Sequence, residues 1–95
     1  MNRRYQKGRR AEYKTAKLLE ADGYLVQRSA GSHKWDLTAF RGIEPVKVIE
    51  VKCNIGEAAA MREVKRLRKL FHIWAPVDIE CYVWHDHVAD PYIYP

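Results

Sequence analysis

The chain has 95 residues, 47% hydrophobic and 31% charged, a globular composition that excludes general disorder. No apolar run approaches the roughly 20 residues that span a bilayer, and no apolar run follows the basic start from Met1 to Lys7, so neither a membrane protein nor a secretory leader is expected. Seventeen Lys+Arg against twelve Asp+Glu give +5, which favours an anionic partner such as nucleic acid.

There are no repeats and no linker-like tract, so residues 1–95 read as a single domain with one core. A domain this small gains stability from burying surface in a partner. Cys53 and Cys81 are too few for a disulfide framework and fit a reducing cytoplasm.

The first predicted element is a helix from about Lys7 to Asp22. Ala11, Thr15, Leu18 and Asp22 form one row, and Glu12, Ala16 and Leu19 the next. Gly23 sits where a left-handed residue ends a helix, with Tyr24 placed to pack back on Leu19. Glu12 turns its carboxylate towards the apolar face. Arg3, Arg4, Lys7, Arg9 and Arg10 crowd the helix start, where the macrodipole disfavours cations, and this favours a binding role over an ordinary solvated end.

Tyr24 to Arg28 reads as a strand, followed by the polar loop Ser29 to Lys34. Trp35 to Phe40 is a second strand, with Asp36, Thr38 and Phe40 on one face and Leu37 and Ala39 on the other. Arg41 to Pro45 is a hairpin turn. Val46 to Cys53 is a third strand, apolar on both faces as a central strand is, with Val46 and Val48 sharing a face with Glu50 and Lys52.

Asn54 is a possible cap for a helix from about Glu57 to Phe71, whose apolar stripe is Ala60, Val64, Leu67 and Phe71. Its other faces are strongly basic, and a solvated surface is the simpler reading of them. From Pro76, the residues Val77, Ile79, Cys81 and Val83 alternate with Asp78, Glu80, Tyr82 and Trp84, a strand with one wetter face. A turn at His85 to His87 leads into a tail holding Tyr92 to Tyr94. The order is α-β-β-β-α-β, an α/β sandwich around one mixed sheet.

Charges ending a buried strand are costly unless they are used, paired or beyond the sheet's end in water. A hairpin at Gly42 makes Asp36 and Glu50 cross-strand neighbours on the face that also carries Lys52. Two close carboxylates repel unless a cation or proton joins them. Mg²⁺, bound by one or two carboxylates and several waters, resolves the conflict. Lys52 would then hold its ammonium near those waters, and Glu12 would add a third carboxylate. His85, Asp86 and His87 make a poor zinc signal, since Cys53 and Cys81 form no CxxC pair. No Gly-rich phosphate loop is present, so no nucleotide cofactor is expected.

Together these residues resemble the PD-(D/E)XK nuclease superfamily, and within it the archaeal-type Holliday junction resolvases. The likeness rests on Lys7-Gly8-Arg9-Arg10-Ala11-Glu12, Gly23-Tyr24, Arg28 to Ser32, Asp36-Leu37 and, thirteen residues further on, Glu50-Val51-Lys52. Trp35 replaces the proline of the motif. The resemblance implies a restriction-endonuclease-like core with a central mixed sheet flanked by helices. It implies a Mg²⁺-dependent endodeoxyribonuclease, with Mn²⁺ as a substitute ion, acting as a homodimer on four-way junctions. Asp36, Glu50 and the Val51 carbonyl would bind the metal, with Glu12 completing or orienting the site. Lys52 would position or activate water, and Ser32, or else Ser29, would assist cleavage. Lys7, Arg9, Arg10, Arg28, Ser29 and Lys34 would contact DNA. Two alternatives stay open: a related nuclease for other branched or duplex DNA, and an inactive DNA-binding protein of the same fold. The surfaces expected to form the dimer are Trp74, Trp84 and the Tyr92 to Tyr94 tail.

Overall fold

A computed structural model describes residues 3–29, 34–71 and 76–95. The elements are α1 (Arg3–Ala21), β1 (Leu25–Arg28), β2 (Leu37–Phe40), β3 (Val46–Cys53), α2 (Glu57–Phe71), β4 (Val77–Trp84) and β5 (Tyr92–Tyr94). The strands form one sheet in the order β1-β2-β3-β4-β5. β3 and β4 run parallel, and the other neighbours are antiparallel. A parallel pair needs a crossover, and α2 supplies it.

This is the α/β sandwich expected, with two extensions. α1 begins four residues before the predicted Lys7, carrying the weak helix former Gly8 inside it. The expected tail is instead a fifth strand, Tyr92–Tyr94, paired with β4. Three residues are too short to show a period, although their partner is the strand just before them in sequence.

α1 ends as its sequence indicates. Gly23 has φ +90, its N–H donates to Glu20 O, and the Tyr24 N–H donates to Leu19 O, each at 3.0 Å. The β2–β3 turn is pinned to this helix end, because Arg41 bonds both Glu44 and the Asp22 carbonyl and lies over the Tyr24 ring.

The two helices cover opposite faces of the sheet. Ala11 and Leu19 of α1 join Leu37, Ala39, Ile49, Val51, Tyr82 and Trp84 in one cluster, while Ala60 and Val64 of α2 join Cys81 and Val83 in the other. Leu18, expected on the α1 stripe, faces solvent, and Thr15 takes the buried place. Its hydroxyl donates to Ala11 O at 2.7 Å and accepts the Trp84 indole N–H at 2.8 Å, which satisfies both buried polar groups. The expected wet face of β4 is therefore wet only at its start, and Trp84 is core rather than interface. Trp74 lies outside the described residues. Among the described residues, no helix is long and apolar enough to cross a membrane.

Asn54 does not cap α2. Gly56 O accepts the Ala60 N–H, and the Asn54 carboxamide instead accepts the Asp86 N–H at 3.0 Å. Asn54 itself has φ +55, which asparagine tolerates better than most residues. The β3 end is thus tied to the turn after β4.

Candidate active site

β2 and β3 part at the position where the sequence sets two carboxylates opposite each other. The last paired rung is Leu37 with Ile49, so one more would align Asp36 with Glu50. That rung does not form. The Asp36 N–H donates to Ile49 O at 3.0 Å, its carbonyl accepts the Ser29 N–H at 2.9 Å, and its Oδ2 accepts the Val51 N–H at 2.7 Å. A side-chain carboxylate has taken over from a backbone acceptor. These bonds fix Asp36 between the end of β1 and the middle of β3.

Glu50 is 6% exposed and alternates with Val48 on the α2 side of β3. Burial pushes its carboxyl well above the usual carboxylate range, and the hydrogen bond and negative charge of Asp36 push the same way. Lys52 and Arg66 pull in the opposite direction and do not cancel the shift. The ion pair that Arg66 makes with Glu50 would favour an ionised carboxyl, but burial and Asp36 outweigh it. In the absence of a further cation, the Glu50 carboxyl is therefore held above its ordinary value.

Lys52 is half-buried, two residues past Glu50 on the same face, and its charge is felt at Glu50. Glu12 stands on the α1 side and accepts a hydrogen bond from Arg28 at 3.2 Å. Among the described residues, no three His, Cys, Asp or Glu side chains gather as a metal-binding group, so Glu12 does not join Asp36 and Glu50. Lys34 is exposed and stands two residues before Asp36, Ser29 is half-buried and reaches Asp36 through its N–H, and Ser32 lies outside the described residues.

The basic start of α1 divides. Arg9 and Arg10 line a cavity of about 720 Å³ with Gln6, Tyr13, Lys14 and Arg28. Arg28, which also holds Glu12, ends β1 opposite Leu37, the residue after Asp36. Lys7 turns the other way and pairs with Asp86 at 2.7 Å. Asp86 is engaged by Lys7 and Asn54, and His85 stacks edge-on against Tyr92.

One contributor was missed in the sequence. Arg66 of α2, read as part of a solvated face, donates to Glu50 Oε2 at 2.5 Å, to Lys34 O at 2.7 Å and to Glu63 Oε1 at 3.1 Å. A signal existed: Glu63 and Arg66 are three apart along the flank of the Ala60, Val64 and Leu67 stripe, so both sit at the edge of the buried face.

No family model matches the sequence. Among solved structures, the chain is similar to Hjc, a Holliday junction resolvase from the archaeal hyperthermophile Archaeoglobus fulgidus. The TM-score is 0.66 and the identity 21%, over 94% of this chain and 72% of that one. The resemblance read from the sequence thus holds at the level of the fold: five strands and two helices arranged as in an archaeal resolvase-like nuclease.

Proposed function

We propose that this chain is a Mg²⁺-dependent DNA endonuclease that cuts four-way junctions as a homodimer. The observation that carries this reading is Asp36 held against Glu50 where β2 and β3 part, on a resolvase-like fold. Residues 1–95 act as one nuclease domain.

The site suits a hard dication. The buried Glu50 carboxyl feels both its burial and the negative charge of Asp36, and both raise it above the usual carboxylate range. Mg²⁺ needs only one or two carboxylates and retains several waters, and Mn²⁺ accepts the same donors. Asp36, Glu50 and the Val51 carbonyl would hold the ion, with Glu12 acting on the site through Arg28. Such an ion supplies charge neutralisation at phosphoryl oxygens and a more acidic bound water.

The chain's own groups do the rest. The Val51 N–H keeps the Asp36 carboxylate from rotating. Lys52 holds its ammonium on the face of Glu50, where it orients the attacking water or offsets charge on the phosphate. Arg9, Arg10 and Arg28 bind the phosphate backbone, with Lys7, Ser29 and Lys34 at the margin. Ser32 assists cleavage, with Ser29 as the second choice. On this reading the protein works in the cytoplasm and uses no nucleotide cofactor.

The test is cleavage of a labelled four-way junction and a duplex of equal length, in Mg²⁺ and in EDTA. Paired nicks in the junction, dependent on Mg²⁺, are expected. Equal cutting of the duplex would favour the related-nuclease alternative. Tight binding without cutting would favour an inactive DNA-binding protein.

A further inference from the structure

Arg66 is the side chain whose role the cleavage chemistry leaves open. It reaches from α2 to the Glu50 carboxyl, and its guanidinium serves three acceptors on three segments. Glu63 lies on its own helix, the Lys34 carbonyl lies on the loop before β2, and Glu50 lies on β3. The Glu50 side chain is 8% exposed while that of Arg66 is 42% exposed.

A guanidinium has donors only and stays charged at every usable pH. Glu50 Oε2 is engaged by it, one of the two oxygens that Glu50 can offer a dication. Two cations at one oxygen repel strongly where water is scarce. The Arg66 contact and a metal ion on Glu50 therefore compete.

We propose that Arg66 is the resident counter-cation of the metal-free site: it competes with a dication for Glu50, and so it sets the metal affinity. This rests on the metal-site reading above. After release, the guanidinium keeps Glu63 and the Lys34 carbonyl, so α2 and the loop before Asp36 stay tied whether or not metal is bound. A purely structural ion pair would not behave this way, since its removal would loosen the site and weaken metal binding.

The test is calorimetric titration of MnCl2 into the intact protein without DNA, for wild type, Arg66→Gln and Arg66→Lys. Arg66→Gln should bind Mn²⁺ about tenfold more tightly, the scale of one hydrogen bond to a charged group. Its metal-free form should unfold at a lower temperature, and saturating Mn²⁺ should close that gap. Arg66→Lys keeps the charge but cannot span three acceptors, so it should fall between the two, and it carries the test if Arg66→Gln does not fold. Mn²⁺ affinity in the variants equal to or weaker than wild type overturns the proposal and leaves the nuclease reading intact. Absence of Mn²⁺ binding in wild type and variants alike removes both.

Discussion

The Val51 N–H donates to the Asp36 carboxylate at 2.7 Å, so β3 spends a backbone donor on a side chain from β2. The exchange ends the β2–β3 ladder at Leu37 and Ile49 and turns the next pair of residues into a site. Glu50, between Ile49 and Val51, is left facing α2 with Asp36 as its neighbour and Arg66 over it.

Glu50 gives the metal-free protein a pH signature. Its carboxyl is raised in the folded chain by burial and by Asp36. Between the ordinary carboxylate value and the raised one, the folded chain holds a proton that the unfolded chain has lost. Stability from this group therefore falls as pH rises through that window. Thermal midpoints in EDTA should decline more from acid to alkaline pH in wild type than in Glu50→Gln. Parallel curves would contradict the raised Glu50 carboxyl.

The basic surface gives a salt signature. Arg9→Gln and Arg10→Gln should each lower the slope of log affinity against log salt by about 0.9 on duplex DNA. Lys7→Gln should lower it less, because Asp86 already offsets that charge. Filter binding across a salt series measures this. Unchanged slopes for Arg9 and Arg10 would move the DNA surface to α2, where Arg62, Lys65 and Arg68 line a separate cavity.

Assembly should be visible by light scattering. Trp84 is used within the chain, and among the described residues expected at the dimer surface Tyr92 and Ile93, 55% and 48% exposed on the edge strand β5, stay open to a partner. An isologous dimer would set two sites about one axis, matching the symmetry of a junction. Wild type should have twice the mass of the 11.2 kDa chain, and Ile93→Lys should be monomeric, since a charge on an edge strand opposes pairing. A monomeric wild type would remove the geometric basis for paired cuts.

Much of the frame was legible because it is local. The Gly23 stop, the hairpin with Gly42 at φ +56, and the two-faced apolar β3 all follow from adjacent residues. The meeting of Asp36 and Glu50 was also legible, since a tight hairpin fixes the register. What escaped is long-range. Asn54 looks like a cap in sequence but bonds Asp86 across the fold. Trp84 looks exposed by alternation, yet Thr15 of α1 receives its indole N–H. Glu12 has the right helical phase but is held by Arg28, and Arg66 carries no mark separating it from its basic neighbours until Glu50 lies beside it.

The most direct measurement is the single-turnover rate of junction cleavage by Asp36→Asn in saturating Mg²⁺, with junction affinity measured on the same samples. The carboxamide oxygen can still accept the Val51 N–H, so the fold and DNA binding should stay at the wild-type level. Cleavage should fall by about a hundredfold or more, the scale of losing one preorganised electrostatic group. Cleavage at the wild-type rate would show that the chemistry does not run through the Asp36–Glu50 pair.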